Sequence, residues 1–368
     1  MASLHKTALY GSLALLVVSV AMFAVDMPLV AGPLLTSFFA LAAFGVRGTE
    51  KLRGVSFSLL IFAAVTLAMN YPAPFFSWGE FRLSTLIVPL LQIIMFGMGT
   101  AISAKDFVGV VKDPRAVGIG LTCQFTIMPF VGAGLALMFE LEPEIAAGIV
   151  LIGASPSGLA SNVMAYIAKA NLALSVTLTT AATLIAPLIT PFYMQWLAGQ
   201  LVPIDPWGMM WDITRITILP IVAGLVFNHF LHGRTQWLDR LMPKVSMGGI
   251  VVILMIMTAG GRDNLLEIGM VLIMISLLHN VSGYVLGYWS CRLLRLDEKS
   301  CRTIAFEVGL QNAGLATGLA TAMGKAATLG LAPTVFGSLM NITGATLATY
   351  WRDKPPRDQQ RPVRRQTA

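Results

Sequence analysis

The chain has 368 residues, of which 56% are hydrophobic and only 12% are charged. An average soluble domain has about 25% charged residues, so this composition excludes an ordinary soluble globular protein. The formal net charge of +7 is spread over short loops and the C-terminal end, which argues against a nucleic-acid partner.

Apolar runs of about 20 residues recur along the chain, and each is long enough to cross the hydrocarbon layer as an α-helix. Residues 9–25 and 29–46 predict an N-terminal transmembrane hairpin within residues 1–50. A signal peptide is the competing interpretation of the first run, but a second run follows at once, so we favour two retained helices. Ten further spans are predicted at residues 57–75, 83–102, 115–139, 143–168, 172–197, 209–230, 242–260, 265–294, 299–323 and 327–350.

The ten spans divide into two groups of five, residues 55–199 and residues 205–351. Because an odd number of spans reverses the direction of insertion, the second group is expected to be inverted relative to the first. Taking alternate loops as cytoplasmic collects most of the basic residues on one side of the membrane, as the positive-inside rule requires. We therefore expect a multi-pass protein of the inner (plasma) membrane with both termini cytoplasmic and a disordered basic tail at residues 352–368.

The fourth span of each group contains one polar interruption. The two interruptions are residues 155–162 (SPSGLASN) and residues 306–316 (FEVGLQNAGLA). A charge at membrane depth costs several kcal/mol, so Glu307 is a functional candidate by default. Paired broken helices at matching places in two halves are typical of ion-coupled transporters.

Unwound backbone at such a break offers carbonyl oxygens to a cation such as Na⁺, and half-helix N-termini favour a carboxylate or sulfonate group. Glu307 supplies a full negative charge that offsets a bound cation. Neutral polar groups are expected to converge on the same region from Gln124, Ser161, Asn162, Ser175, Thr179, Gln311, Asn312 and Asn341.

Several of these residues also have a purely structural interpretation. Ser175 and Thr179 lie four residues apart on one helical face, and such hydroxyls usually bond the carbonyl one turn earlier. Gln124 and Asn341 also suit hydrogen bonds between neighbouring helices. His279 is more simply a packed histidine than a proton site.

The sequence does not favour an enzyme. Ser161 and His279 as an intramembrane hydrolase pair lack an orienting acid, and the chain has no P-loop, HExxH or GxGxxG motif. A passive channel would not require paired breaks around a single carboxylate. Lys325 and Glu144 are interpreted as solvated loop charges.

Seven stretches, in order along the chain, resemble the bile acid:sodium symporter family, particularly its bacterial members. They are residues 96–100 (FGMGT), 124–129 (QFTIMP), 160–164 (ASNVM), 171–176 (NLALSV), 278–280 (LHN), 307–312 (EVGLQN) and 345–351 (ATLATYW). The likeness covers residues 55–351 and leaves the N-terminal hairpin outside. It implies an all-α polytopic membrane protein of two inverted five-helix repeats. Core helices 1, 2, 6 and 7 would form a panel domain and helices 3–5 and 8–10 a core domain, with helices 4 and 9 broken and crossing.

The resemblance also implies two Na⁺ sites that share one carboxylate. The first would use Ser161, Asn162, Ser175, Thr179 and Glu307. The second would use Gln124, Glu307, Gln311 and the backbone carbonyls of Val308 and Leu310. All of the required side chains are present, so Na⁺ is the expected coupling ion.

The substrate side departs from the family at two positions. Asn312 and Asn341 match polar residues near the substrate in relatives. However, Met340 stands where close bacterial relatives have a histidine, and Leu159 before Ala160 stands where relatives often have a threonine. Both changes remove polar contacts, so the ion site carries over better than the substrate site.

We therefore predict a secondary active transporter, not an enzyme, that couples Na⁺ flow to uptake of an organic anion by alternating access. The anion would be a small carboxylate or a bile-acid-like molecule. The alternatives are a proton-coupled organic anion transporter and a non-transporting membrane receptor. The expected partners are the organic anion and the lipid bilayer, and neither a nucleic acid nor a protein partner is implied.

Overall fold

The structure, a computed structural model, describes residues 2–49, 53–101, 113–231, 236–354 and 356. Within these ranges the chain is almost entirely helical, and eight helices are long and apolar enough to cross a membrane. The predicted class, an all-α polytopic membrane protein, is confirmed. Most of the predicted basic tail, from residue 357 onward, lies outside the described residues.

An N-terminal hairpin precedes the first repeat, as predicted. It consists of α1 (Ala2–Ala24) and α2 (Pro28–Gly45), which pack along each other. α2 also packs on α3 (Ser56–Asn70), where the Thr36 hydroxyl donates to Thr66 Oγ1 at 3.1 Å. The hairpin is therefore attached to the first repeat through α2.

The first repeat continues from α3 through a short helix and a two-stranded hairpin into four further membrane-crossing units. α3 ends at Asn70, earlier than predicted, because Pro72 has no backbone N–H to donate to the preceding turn. The remaining elements are α4 (Ala73–Phe76), β1 (Ser77–Trp78), β2 (Phe81–Arg82), α5 (Ile87–Ala101), α6 (Pro114–Met138), α7 (Pro143–Ala154), α8 (Leu159–Ile167) and α9 (Leu172–Tyr193).

The second repeat has the same order, and its fourth unit is again split into two half-helices. Its first unit passes through a π-helical turn at Thr214–Ile218, just before Pro220, whose missing N–H leaves a carbonyl of the preceding turn without its usual donor. The elements are α10 (Pro206–Ile213), α11 (Leu219–Leu231), α12 (Gln236–Gly260), α13 (Arg262–Leu293), α14 (Glu298–Gly309), α15 (Ala313–Ala322) and α16 (Leu331–Arg352).

Helix contacts divide the two repeats into two groups. In the first group, α12 packs on α3 and on α5, and α5 packs on α11. The second group consists of α6, α7, α9, α13, α14 and α16. The groups meet where α15 packs on α5 and where α12 packs on α16. This grouping matches the panel and core predicted from the resemblance.

The two broken helices cross at their breaks, as predicted. The N–H of Gly158, between α7 and α8, donates to the Leu310 carbonyl at 3.2 Å. The N–H of Asn312, between α14 and α15, donates to the Pro156 carbonyl at 2.7 Å. Each break therefore satisfies backbone groups of the other, which unwound chain at membrane depth requires.

Candidate functional site

The Glu307 side chain lies at this crossing and is 1% exposed. Its Oε1 accepts hydrogen bonds from Ser175 Oγ at 2.5 Å and from Thr179 Oγ1 at 3.2 Å. Its Oε2 accepts from Ser157 Oγ at 2.6 Å and from Thr179 Oγ1 at 2.9 Å. Three hydroxyls of the first repeat thus surround a carboxylate of the second and stabilise its charge.

The hydroxyls of α9 divide into two kinds. Thr177 and Thr183 donate to carbonyls one turn earlier, at 2.8 Å in each case, as membrane-helix hydroxyls usually do. Ser175 and Thr179 instead donate to Glu307. Ser175 and Thr179 therefore contact the buried carboxylate and not the carbonyl one turn earlier that the structural interpretation expected.

Ser161 and Asn162 join the same network from α8. The Ser161 Oγ lies 3.2 Å from Thr179 Oγ1 and donates to the Gly158 carbonyl at 2.8 Å. The Asn162 Oδ1 lies 3.3 Å from Thr179 Oγ1, whose single hydrogen is directed at Glu307. The structure therefore brings the first predicted set of side chains into one connected cluster.

The second predicted set is connected through the side chains of Gln124 and Gln311. Gln124 Nε2 donates to Gln311 Oε1 at 2.8 Å and to the Ser155 carbonyl at 3.2 Å. Gln311 Nε2 donates to the Val308 carbonyl at 2.6 Å. Gln124 Oε1 is buried and has no hydrogen-bond partner among the described residues. Since a buried acceptor without a partner is costly, this oxygen marks a place for a cation or a water molecule.

Three of the four predicted substrate residues, Leu159, Ala160 and Asn312, lie at the starts of α8 and α15. Asn312 is 9% exposed, and its side chain accepts a backbone N–H of α15 at 3.0 Å. Leu159, which is 39% exposed, and Ala160 begin α8. Asn341 donates to the Gly337 carbonyl of its own helix at 2.8 Å, so its side chain is held within α16.

Sequence reasoning missed two residues that contact the breaks. Ser157 lies within the first break but was not among the predicted ligands. Asn280 Nδ2 donates to the Gly309 carbonyl at 2.7 Å, and its Oδ1 accepts from Thr343 Oγ1 at 2.5 Å. Asn280 lies in the family-like stretch 278–280, but the sequence analysis assigned it no role at the breaks.

His279 and Ser161 are not a nucleophile–base pair. His279 Nε2 lies 2.9 Å from the Met128 carbonyl, and its ring packs against Phe336. Ser161 bonds Gly158 and Thr179 instead. His279 is therefore a packed histidine, as the simpler interpretation held.

Lys325 and Glu144 are not separately solvated, contrary to prediction. Lys325 Nζ and Thr328 Oγ1 both donate to the Glu144 carboxylate. This ion pair joins the first turn of α7 to the connection between α15 and α16. The outer ends of two half-helices are thus tied together.

A polytopic helical chain with two crossing, broken helices around a buried carboxylate has the architecture of a secondary transporter. The sequence profile of the Sodium Bile acid symporter family matches residues 88–268. The chain belongs to this family of membrane transporters, as the sequence motifs predicted, and is therefore not an enzyme.

Similarity to individual relatives extends beyond the profile match. The chain is 39% identical over 315 residues to the "Uncharacterized sodium-dependent transporter YocS" of Bacillus subtilis (strain 168), covering 85% of this chain and 96% of the relative. It is 32% identical over 267 residues to the "Probable sodium/metabolite cotransporter BASS1, chloroplastic" of Arabidopsis thaliana, covering 73% and 67%. It is 33% identical over 242 residues to the "Ileal sodium/bile acid cotransporter" of Homo sapiens, covering 63% and 68%.

Proposed function

We propose that this protein couples inward movement of Na⁺ to uptake of an organic anion by alternating access. The carrying observation is the Glu307 carboxylate, which is 1% exposed and is contacted by hydroxyl groups. Glu307 takes part in none of the ion pairs found among the described residues. A carboxylate buried in this way is costly unless a counter-charge binds beside it, and a transported cation would supply that charge.

Two Na⁺ ions would bind on either side of Glu307. Side-chain oxygens of the first site would come from Ser161, Asn162, Ser175, Thr179 and Glu307. Those of the second would come from Gln124, Gln311 and Glu307, with the backbone carbonyls of Val308 and Leu310. Both sets consist of oxygen atoms with one shared carboxylate, which suits hard ions of low charge.

The second site is further supported by its acceptor groups. Gln124 Oε1 is buried without a hydrogen-bond partner among the described residues. The Val308 and Leu310 carbonyls each accept one hydrogen bond and retain a second lone pair for a cation. A cation there would satisfy three acceptors at once.

The organic anion would bind where the N-termini of α8 and α15 meet at the crossing. Backbone N–H groups and the positive end of the helix dipole favour a carboxylate or related group at such a position. Asn312, Asn341, Leu159 and Ala160 would line this region. The relatives named for bile acid and metabolite cotransport support an organic anion as the substrate class.

Coupling would follow from the position of the ligands on both repeats. A cation at Glu307 would be bound by residues of α8 and α9 in the first repeat and by residues of the second break in the second repeat. Binding would therefore fix the two breaks relative to each other and preorganise the half-helix N-termini for the anion. By linkage, the anion would in turn raise the affinity for Na⁺.

We propose that the protein spans the inner (plasma) membrane with both termini in the cytoplasm, an orientation that the distribution of basic residues supports. We assign residues 1–50 to the extra hairpin, 55–199 and 205–351 to the two repeats, and 352–368 to a basic tail.

The test is uptake into proteoliposomes driven by a Na⁺ gradient, with the organic acid chosen by a thermal-shift screen in the presence and absence of Na⁺. Glu307→Ala should abolish Na⁺-driven uptake while leaving the helical content and the elution profile unchanged. Glu142→Ala, at an exposed position before α7, is the matched control and should transport normally.

Two outcomes would contradict the proposal. Uptake that continues without a Na⁺ gradient and follows a pH gradient would identify a proton-coupled transporter. Na⁺-dependent binding of the acid without any flux would identify a receptor.

A further inference from the structure

The position of Ser157 is set by backbone contacts between the two crossing breaks. Ser157 pairs with Gln311 in an isolated antiparallel bridge between the two breaks. The two backbone hydrogen bonds between the breaks lie on either side of this pair and not within it. In an antiparallel ladder such a non-hydrogen-bonded pair brings its side chains closest together on one face. Ser157 is therefore a neighbour of Gln311 because of the backbone, not because of a flexible side chain.

The Ser157 hydroxyl points at the carboxylate. The side chain is 1% exposed, and Oγ donates to Glu307 Oε2 at 2.6 Å. Ser155, two residues earlier in the same break and fully buried, donates instead to the Leu151 carbonyl of its own helix at 2.8 Å. Two buried serines of one break therefore have different partners, and one of them contacts the acidic group.

We propose that Ser157 Oγ is a further oxygen ligand of the coupling cation, beside Glu307 Oε2 and on the side of Gln124 and Gln311. The inference rests on the proposed function and adds a residue to its second ion site. A serine hydroxyl has one hydrogen and two lone pairs, and the hydrogen rotates freely. The same oxygen can therefore donate to Glu307 in one state and present a lone pair to a cation in the other.

Ser157 and Ser175 contact different oxygen atoms of the Glu307 carboxylate. Ser175 contacts Oε1, on the side of the first proposed site, whereas Ser157 contacts Oε2. Thr179 reaches both oxygens. Each proposed site would then have its own serine next to the shared carboxylate.

The experiment compares Ser157→Ala with Ser155→Ala in the full-length protein. Two quantities are measured, the half-saturating Na⁺ concentration for uptake and the Na⁺-induced rise in melting temperature without substrate. Ser157→Ala should raise the half-saturating Na⁺ concentration by about tenfold, because a contact to a charged group is lost. Ser155→Ala should leave it within about twofold, because its hydroxyl bonds its own helix.

Two further variants and a second ion separate coordination from packing. Ser157→Cys keeps the size of the side chain but replaces a hard oxygen by sulfur, so it should lose Na⁺ affinity as alanine does. Ser157→Thr keeps the hydroxyl and should therefore keep a Na⁺ affinity close to that of the wild-type protein. The ratio of Li⁺ to Na⁺ affinity should change in Ser157→Ala and Ser157→Cys, which a packing defect alone would not produce.

The inference is overturned if Ser157→Ala and Ser157→Cys keep the wild-type Na⁺ response, or if Ser155→Ala weakens it equally. In those cases Glu307→Ala would still abolish the response, and the proposed function would stand. If the wild-type protein itself shows no response to Na⁺, the proposed function fails together with this inference.

Discussion

Chemically equivalent residues of one helix differ in their partners. Thr179 and Thr183 occupy successive turns of α9, and both are buried. Thr179 donates to Glu307, whereas Thr183 donates to the Thr179 carbonyl. The first hydroxyl contacts the shared acidic group, and the second satisfies the backbone of its own helix. This difference permits a test with two identical substitutions.

Replacing Thr179 by valine should weaken Na⁺ activation of transport, while Thr183→Val should not. A hydrogen bond to a charged group contributes about 1.5–3 kcal/mol, so the half-saturating Na⁺ concentration should rise roughly 10- to 100-fold in Thr179→Val. The measurement is uptake at varied Na⁺ and constant substrate. Equal Na⁺ responses in the two variants would remove Thr179 from the proposed ion site.

At the scale of single elements, the C-terminal end of α14 has partners for its last carbonyls. The carbonyls of residues 308–310 accept hydrogen bonds from the side chain of Gln311, the side chain of Asn280 and the backbone of Gly158, respectively. A helix end without such partners would be costly in the membrane. The broken helix therefore ends here because the following residue Gln311 and two other segments satisfy its carbonyls.

The panel shows how helices without large polar surfaces are held together. A Cβ on Gly99 of α5 would lie 2.1 Å from the Ile221 carbonyl of α11, and one on Gly224 would lie 2.2 Å from the Phe96 carbonyl of α5. Glycines allow the two backbones to approach closely, which is how many membrane helices associate. An alanine at either position would force the backbones of α5 and α11 apart.

Gly99→Ala should therefore lower the apparent melting temperature in detergent, with a cost of about 1–3 kcal/mol for overpacking. Gly118→Ala is the control, since a Cβ there would meet nothing within 4 Å. That substitution should be neutral or should stabilise its helix by up to about 1 kcal/mol. If both variants melt alike, the close approach of α5 and α11 does not limit stability.

At the scale of the whole molecule, the core is tied together at the end away from Lys325. The Arg302 and Glu298 side chains are 4% and 3% exposed, and Nε lies 3.1 Å from Oε1. Arg302 also donates to the carbonyls of Trp351 and Lys354 at 3.1 and 3.0 Å. The half-helix that carries Glu307 is thereby joined to the C-terminal end of α16.

Glu298→Gln should strongly destabilise the protein, because removing one partner of a buried ion pair leaves the other charge uncompensated, at a cost of about 3–5 kcal/mol. Asp263→Asn is the control, since Asp263 is 94% exposed in its pair with Arg262. An exposed pair contributes only about 0–1 kcal/mol. The melting temperatures of the two variants are measured in detergent. If Glu298→Gln and Asp263→Asn melt at similar temperatures, the buried ion pair does not hold the core together.

The class of protein, the order of the helices and the position of the two breaks could all be predicted from the amino-acid sequence. These features depend on the length of apolar runs and on a carboxylate within one of them, which are local properties of the chain. The sequence also identified most of the oxygen-bearing residues near the breaks, but not Ser157 or Asn280. The end of α3 at Asn70 was misjudged because the hydrophobic residues after Pro72 resemble a continuing span.

Only the tertiary structure decided which of those residues meet. It directed Thr179 to Glu307 and Thr183 to the backbone, and it brought Ser157 to a carboxylate 150 residues away in the chain. The physical reason is that a hydroxyl bonds whichever acceptor lies within about 3 Å. That distance is set by the crossing of two distant breaks, and no local pattern encodes it.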